Sequence, residues 1–283
     1  MNNILLIANP ASGKFNYKKI LKIKEIIENK SYNVTIALTG YRGHGEILAT
    51  QSDADTIIAA GGDGIINEVA RGVAGTDKLF YALPLGTVNV FCKEYGISRN
   101  PIKAAKQFTY NHIKKIPAGY IDNKIFLLMA GFGFDATIVR TVETKGVKFK
   151  PLKTLVHVIY GFPAFFSEKY DHLFLYYNGK RMGFYHGVFA VAASYAGTYK
   201  LGKIKLNMIN AFIVHHRGRL ALLKAFTPLF FWRGFSGTHI SSDMFKIDGV
   251  KFCQLDGEYT KLDNRSTYIS VKKDAINFLS PKE

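Results

Sequence analysis

The first 115 residues alternate short apolar runs with amphipathic segments. The runs "ILLIAN", "NVTIAL", "TIIAA" and "LFYAL" are typical of buried strands. The segment after the first run places Ile20, Ile23 and Ile27 on one helical face, with lysines opposite. Further helical patterns lie near 44–51, from about Ile65 and near 101–110. Strand and helix in turn predict a parallel sheet with helices on both faces.

After about Lys115 the pattern changes to short strands separated by turn residues. The predicted strands are "KIFLLMAG", "HLFLYY", "GVFAVAAS", "AFIVHH", "VKFCQL" and "TYISVK". Two segments, 148–170 and 219–235, are instead rich in aromatic residues and Leu. The pattern therefore predicts an α/β domain over 1–115 and a mainly β-sandwich domain over 116–271. The tail, about 272–283, is a candidate to pack back on the first domain.

Composition sets further bounds on the class of protein. The chain has 283 residues and 48% of them are hydrophobic, so a sizeable core can be buried. Cys92 and Cys253 lie far apart without a CxxC motif, which argues against a disulfide framework or a zinc site. No apolar run approaches the roughly 18 residues that span a bilayer. We therefore expect a cytoplasmic protein.

The charge is strongly positive, +17, and unevenly distributed. From His172 to Ser242 there is no Asp or Glu, although the same stretch carries nine Lys and Arg residues. A basic excess attracts polyanions such as nucleic acid, acidic lipid or nucleotide. Because no recognised nucleic-acid-binding motif is present, we expect no nucleic-acid partner.

Glycine-rich or short polar turns follow three of the predicted parallel strands. These turns are "NPASGK", "GGDG" and "LPLGTVN". Parallel strands bring such turns to one sheet edge, where ligands bind in open α/β folds. Glycines there allow backbone N–H groups to approach a phosphate, although a plain strand-to-helix turn is the competing interpretation. Asp63 repels phosphate, so it fits a metal-bridging or proton-handling role.

In combination these motifs resemble one family. "NPASG", "GGDGIINE", "PLGTVN" and "LDGE" occur in the order found in bacterial members of the diacylglycerol kinase catalytic-domain family, which includes sphingosine kinases. "GFGFDA" at 131–136 resembles the element that opens the family's second domain. NAD kinases share the fold and the glycine-rich aspartate loop but not the other elements. The resemblance implies a two-domain kinase with ATP between the domains.

The resemblance also implies roles for particular residues. Asp256 and Glu258 are expected at the reaction centre, Glu258 as the base and Asp256 supporting it or exchanging roles. Mg²⁺ is expected across the phosphates, with Asp63 as a candidate partner. The competing interpretation of "LDGE" is a hairpin turn. The expected ATP contacts are Asn9, Pro10, Ala11, Ser12, Gly13, Thr39, Gly62, Asp63, Gly64, Ile65, Ile66, Asn67, Glu68 and Thr87.

The chain also departs from the family pattern. Ile65 replaces a threonine, so a hydroxyl that could contact phosphate is lost, and Val90 replaces an aspartate. The acidic positions of the family's structural Mg²⁺ site are taken by Asn207, Met208 and Phe212. Mg²⁺ requires carboxylate oxygens, so we expect this structural site to be absent.

We therefore expect an ATP-dependent lipid kinase that phosphorylates a hydroxyl of diacylglycerol or a related lipid. A catalytically weak lipid- or nucleotide-binding protein and an NAD kinase are the alternatives. Lipid access suggests peripheral association with an anionic membrane surface. The oligomeric state is open, and a homodimer is one option. The candidate membrane anchors, for which a core role is the competing interpretation, are Phe162, Phe165, Phe166, Leu229, Phe230, Phe231 and Trp232.

Overall fold

The computed structural model describes residues 3–144, 170–195, 199–230 and 234–281. Most of the predicted aromatic segment 148–170 lies outside these ranges. The chain divides into two compact units. The first comprises Met1–Pro117 with Lys273–Glu283, and the second comprises Ala118–Lys272.

The first unit is built on a parallel sheet. Its strands are β1 (Asn3–Ala8), β2 (Asn33–Leu38), β3 (Thr56–Gly61) and β4 (Leu79–Pro84), with the end of β18 (Ser266–Leu279). They run in the order β2-β1-β3-β4-β18. Its helices are α1 (Tyr17–Glu28), α2 (His44–Gln51), α3 (Asp63–Val73), α4 (Val90–Glu94) and α5 (Pro101–Gln107). The strand β5 (Ile113–Ile121) leads out of this unit.

Burial in this unit follows the apolar pattern of the sequence. Ile20, Ile23 and Ile27 of α1 are fully buried, and the side chain of Asn16 caps that helix by accepting the Lys19 N–H. All residues of β3 are buried, as continuous apolar strands covered on both faces should be. The predicted parallel α/β arrangement is therefore confirmed.

The second unit is mainly β. One sheet has the order β14-β13-β10-β7-β16-β17, and the other contains β5, β6, β8, β9, β15 and the start of β18. Their bounds are β6 (Lys124–Phe126), β7 (Met129–Phe132), β8 (Leu173–Tyr177), β9 (Lys180–Phe184), β10 (His186–Ala190), β13 (Ile209–Val214), β14 (Thr238–Ser242), β15 (Met244–Asp248), β16 (Phe252–Leu255) and β17 (Glu258–Lys261). A separate pair comprises β11 (Ser194–Tyr195) and β12 (Tyr199–Lys200).

The core of this unit lies between the faces of the two large sheets. Phe132 and Phe189 from one sheet join Leu175, Phe245 and Ile247 from the other in one buried cluster. This arrangement confirms the predicted sandwich. Two helices accompany it, α6 (Phe134–Thr144) and α7 (Arg219–Phe230). None of the helices in the described residues is long and apolar enough to cross a membrane.

One predicted strand is interrupted. "KIFLLMAG" forms two strands, β6 and β7, separated by Leu127 and Leu128. The N–H groups of these two residues bond to the carboxylate of Asp256 instead of to a neighbouring strand. The single-strand prediction was wrong because a side chain distant in sequence takes the backbone donors.

Candidate active site

The first of the three edge turns follows β1. The N–H of Asn9 bonds to the carbonyl oxygen of Ala60 at 3.2 Å, which continues the pairing of β1 with β3 for one residue. The side-chain oxygen of Asn9 then accepts the N–H of Ala11 at 2.8 Å. This Asx turn directs the backbone of "NPASG" across the end of the sheet.

The three turns meet through backbone contacts. The N–H of Lys14 bonds to the carbonyl of Leu85 at 3.0 Å, and the N–H of Leu85 bonds to the carbonyl of Gly61 at 2.8 Å. Gly86 lies so close to Gly62 that an added Cβ would stand 2.5 Å from the Gly62 Cα. Only glycine fits such an approach. The structure therefore brings "NPASG", "GGDG" and "PLGT" together at one sheet edge.

Asn89 holds the third turn closed. Its side-chain oxygen accepts the Gly86 N–H and its side-chain nitrogen donates to the Gly86 carbonyl, both at 2.9 Å. The side chain is buried and its backbone is left-handed, with φ of 54°. Thr87, between these two residues, remains exposed at the edge and lies next to Gly13.

Asp63 begins α3 and directs its carboxylate to the neighbouring helix. Its Oδ1 accepts the N–H of Phe91 at 3.1 Å, and Val90 and Asn89 also offer backbone N–H groups. Burial raises the pKa of the Asp63 carboxyl, while these backbone hydrogen bonds act in the opposite direction. Asp63 therefore caps α4, a short helix that the sequence pattern did not predict.

Beyond Gly64, the residues of the first turns of α3 are buried. Ile65 is 3% exposed and packs under two glycines, since a Cβ on Gly61 or Gly45 would collide with it. The Glu68 carboxylate accepts the N–H of Gly43 at 2.9 Å and the N–H of Gly45 at 3.0 Å. The side chains of Ile66 and Asn67 are buried beside these two residues. These side chains fix α3 against the start of α2.

Thr39 lies at the carboxyl end of β2 and is buried. Its N–H bonds to the Ala8 carbonyl at 3.0 Å, so it extends the sheet by one residue beside the first edge turn. His44 begins α2, as predicted, and accepts the Gly40 N–H at 3.1 Å through Nδ1. These contacts place both residues on the same sheet edge as "NPASG".

In the second unit "LDGE" forms the hairpin between β16 and β17. Leu255 pairs with Glu258, and the two residues between them, Asp256 and Gly257, have φ of 49° and 85°. Two positive φ values in a two-residue loop define a type I′ turn. The hairpin interpretation is thus correct, and the turn leads directly to Glu258.

The carboxylate of Asp256 is committed to backbone groups. It accepts the N–H groups of Leu127 at 2.6 Å and of Leu128 and Met129 at 2.9 Å each. Its own N–H donates to the Met129 carbonyl at 2.9 Å. Three donors on one carboxylate stabilise its charged form, so Asp256 anchors the turn.

The positions expected to hold the family's structural metal do not suit Mg²⁺. Asn207 offers an amide, Met208 a thioether and Phe212 a phenyl ring that stacks on His239 at 4.4 Å. The buried side chain of Asn210 instead bonds to the Lys205 N–H at 2.8 Å and to the carbonyls of Lys205 and Met208. Within the described ranges no group of three His, Cys, Asp or Glu residues is placed to hold a metal ion.

Gln254 is a buried polar residue next to the "LDGE" turn, and the sequence pattern did not reveal it. It lies in the apolar strand "FCQL", is buried, and donates to the carboxylate of Asp135 at 2.6 Å. Asp135 lies in the first turn of α6. A polar residue in the middle of a buried strand was the one available signal.

The candidate membrane anchors fall largely outside the described residues. Phe162, Phe165, Phe166, Phe231 and Trp232 lie outside them, and Leu229 and Phe230 are described as part of α7 without their side chains. The described part of α7 exposes Leu220 and Leu223. The choice between membrane anchors and core residues therefore stays a prediction.

Residues 3–121 match the family model of the diacylglycerol kinase catalytic domain. The match makes this part of the chain similar to a diacylglycerol kinase catalytic domain. The matched range contains every predicted nucleotide contact, from Asn9 to Thr87. Asp135, Asp256 and Glu258 lie beyond the matched range, in the second unit.

Several curated relatives are named diacylglycerol kinase. The chain is 33% identical over 152 residues to a diacylglycerol kinase of Bacillus subtilis (strain 168), which covers 51% of this chain and 50% of the relative. It is 30% identical over 157 residues to one of Staphylococcus carnosus (strain TM300), covering 53% and 49%. The match thus spans about half the length of these relatives.

A crystal structure of a diacylglycerol kinase from Bacillus anthracis str. Sterne has the same fold. Its TM-score is 0.75 at 19% identity, and the alignment covers 99% of this chain and 97% of that one. The likeness thus extends through both units, although at this identity it concerns the fold alone. This fold and the three edge turns are the basis for proposing a function.

Proposed function

We propose that this chain is an ATP-dependent lipid kinase, which transfers the γ-phosphate of ATP to a hydroxyl of diacylglycerol or a related lipid. The observation that carries the proposal is the meeting of three turns at one edge of a parallel sheet. These turns lie inside the region that matches a diacylglycerol kinase catalytic domain. The curated relatives named diacylglycerol kinase support the acceptor class.

The edge turns are suited to bind the phosphates of ATP. Gly13, Gly62 and Gly64 leave the backbone accessible, and the N-terminus of the 11-residue helix α3 adds a positive field. We assign phosphate contacts to the backbone of Asn9, Pro10, Ala11, Ser12 and Gly13 and of Gly62, Asp63 and Gly64, with the hydroxyls of Thr39 and Thr87 beside them.

The side chains of the first turns of α3 have a supporting role in this proposal. Ile65, Ile66, Asn67 and Glu68 are buried, and Glu68 already accepts two backbone N–H groups. We therefore assign them to holding the helix N-terminus in place. The hydroxyl that Ile65 lacks is replaced by apolar packing against Gly45 and Gly61.

Glu258 is the proposed general base. In the transfer it takes the proton of the lipid hydroxyl while the lipid oxygen forms a bond to the γ-phosphorus of ATP. The bond from that phosphorus to the β–γ bridging oxygen breaks, and ADP leaves. Asp256 positions the turn that carries Glu258, because its own carboxylate is taken by three backbone N–H groups.

Mg²⁺ enters this reaction as part of the MgATP substrate. The charge on the ion offsets that of the phosphates during transfer. Among the described residues, Asp63 is the carboxylate of the "GGDG" turn, and it already accepts backbone N–H groups of α4. We therefore assign Asp63 to shaping the phosphate-binding edge.

The lipid acceptor requires access to a membrane, and α7 is suited to that contact. Leu220 is 82% exposed and Leu223 49%, and Lys224 next to them is also exposed. These residues lie in the stretch from His172 to Ser242 that lacks Asp and Glu. Apolar side chains beside cations favour an anionic lipid surface. We propose peripheral association through this helix.

The test is transfer of labelled γ-phosphate from MgATP to lipids in mixed vesicles, with products identified by mass spectrometry. The vesicles contain diacylglycerol, a sphingoid base or phosphatidylglycerol, with and without anionic lipid. Glu258→Ala is expected to lower kcat by about 10²- to 10⁴-fold while ATP binding remains. The control is Asp263→Ala, which removes an exposed acid of the same unit.

The results separate the proposal from its alternatives. Phosphorylated lipid that disappears in Glu258→Ala supports the kinase assignment. ATP binding without transfer to any lipid would contradict it and favour a lipid- or nucleotide-binding protein. Formation of NADP from NAD and ATP would favour an NAD kinase.

A further inference from the structure

The side chain of Gln254 connects two parts of the second unit. It is 2% exposed, and both ends of its amide are bonded. Its Nε2 donates to Oδ2 of Asp135 at 2.6 Å, and its Oε1 accepts the N–H of Gly257 at 2.6 Å. Since one partner is an acceptor and the other a donor, the amide has a single favourable orientation.

The bond between Gln254 and Asp135 occupies the space above Gly131. Gln254 pairs with Gly131 across the neighbouring strands β16 and β7. A Cβ at position 131 would lie 2.0 Å from Oδ2 of Asp135 and 2.7 Å from Nε2 of Gln254. The glycine that begins "GFGFDA" therefore makes room for this hydrogen bond, and the bond joins "GFGFDA" to "LDGE".

Hydrogen bonds therefore hold both residues of the turn before Glu258. Asp256 is fixed by three backbone N–H groups, and Gly257 is fixed by the amide of Gln254. Gly257 is exposed, so without Gln254 its N–H would bond to water. Asp135 in turn lies in the first turn of α6, where the helix field stabilises its negative charge.

We propose that Gln254, held by Asp135, is a positioning residue for Glu258. It touches neither substrate nor cofactor in this role. It sets the backbone of Gly257, from which Glu258 follows directly, and so limits where the carboxylate of Glu258 can lie. This inference rests on the proposed kinase function, in which Glu258 removes the proton of the lipid hydroxyl. An error of about 1 Å in such a group can cost about 10²-fold in rate.

The first experiment removes and then restores the hydrogen bond between Gln254 and Asp135. Gln254→Leu keeps the size and removes both hydrogen bonds, and we expect kcat to fall about tenfold or more. Gln254→Glu places a second carboxylate beside that of Asp135, and we expect kcat to fall at least as much. Adding Asp135→Asn to Gln254→Glu restores one donor and one acceptor with the polarity reversed, so kcat should return to within about threefold of wild type.

Two further readouts distinguish positioning from general damage. KM for ATP should stay within about twofold in all variants, because the ATP-binding turns belong to the first unit. Asp135→Asn alone keeps an acceptor for Gln254 and should lower kcat by no more than about threefold. Unchanged kcat in Gln254→Leu, equal effects on kcat and KM, or no recovery in the double variant would overturn the inference.

A second measurement does not depend on activity. Amide hydrogen exchange of Gly257, followed by NMR, should be slow in wild type and at least about tenfold faster in Gln254→Leu. Equal exchange in both proteins would remove the physical basis of the inference. If exchange differs but wild type transfers no phosphate to any lipid, the kinase proposal fails and the positioning role fails with it. If wild type is active and the Gln254 variants are as active as wild type, the positioning inference fails and the kinase proposal stands.

Discussion

Each unit has an Asp-Gly pair in a turn that carries candidate site residues, and the two aspartates act differently. Asp63 lies at a strand-to-helix turn and accepts backbone N–H groups at the start of α4, its neighbour in the fold. Asp256 lies in a hairpin and accepts the N–H groups of Leu127, Leu128 and Met129. Backbone–backbone hydrogen bonds and close contacts mainly hold the first turn, whereas hydrogen bonds of side chains mainly hold the second.

This difference follows from the two sheets. In the parallel sheet, three strands end at the same edge, so their turns can bond to one another directly, as Gly61, Leu85 and Lys14 do. The hairpin in the antiparallel sheet has one such bond, from the Asp256 N–H to the Met129 carbonyl, and polar side chains supply further contacts. The comparison implies that the turns of the first unit depend on close approach between backbones. The turn of the second unit depends on the acceptor oxygens of a carboxylate.

The largest effect is expected from Gly86→Ala, which tests the backbone contact. The new Cβ would lie 2.5 Å from the Gly62 Cα and 2.7 Å from Oδ1 of Asn89. Urea unfolding should show a loss of about 3 kcal/mol, and KM for ATP should rise. Gly13→Ala is the matched control for the unfolding measurement, since its Cβ would meet Thr87 at an ordinary 3.7 Å. Similar behaviour of the two variants would show that the close approach is unimportant.

Asp256→Asn tests the carboxylate anchor and should have an intermediate effect. Asparagine tolerates the left-handed backbone at this position but replaces one acceptor oxygen with an NH₂ group. At least one of the buried N–H groups of Leu127, Leu128 and Met129 then lacks an acceptor, at a cost of about 2 kcal/mol. Urea unfolding measures this. A variant as stable as wild type would mean that the three hydrogen bonds contribute little.

Asp63→Asn should have the smallest effect on stability, and its sign depends on pH. Because burial raises the pKa of Asp63 in the folded state above the usual 3.8, the folded protein binds more protons than the unfolded chain between these two values. This group's contribution to stability is therefore lost as pH rises through that window. The asparagine variant does not titrate, so its stability relative to wild type should rise with pH over the same window. Unfolding at a series of pH values checks this, and a variant that loses stability relative to wild type as pH rises would contradict it.

The sequence predicted the parallel sheet and its edge turns because their signals are local. Each apolar run is followed within a few residues by its glycines, as in "TIIAAGGDG". The helix α4 was missed because it has five residues and depends on Asn89 and Asp63 rather than on apolar spacing. The resemblance to a family supplied the site residues, and no local pattern could have done so for Glu258.

The contacts that could not be predicted join residues far apart in sequence. Asp256 bonds to groups more than 120 positions earlier, and this pairing interrupts a strand that the local pattern shows as continuous. Gln254 stands out as a polar residue in the apolar strand "FCQL", but the pattern does not show that its partner is Asp135, 119 positions earlier. Packing, rather than local pattern, decides both positions.

The strand β18 has a consequence for how the chain is made. It begins in the second unit and ends beside β4 in the first, where Asn277 pairs with Leu79 and Phe278 with Phe80. A ribosome therefore produces the whole second unit before the strand that covers β4 emerges. Until then this edge of the apolar strand "LFYAL" lacks its β18 partner and is open to pairing with other chains, which is a hazard during synthesis.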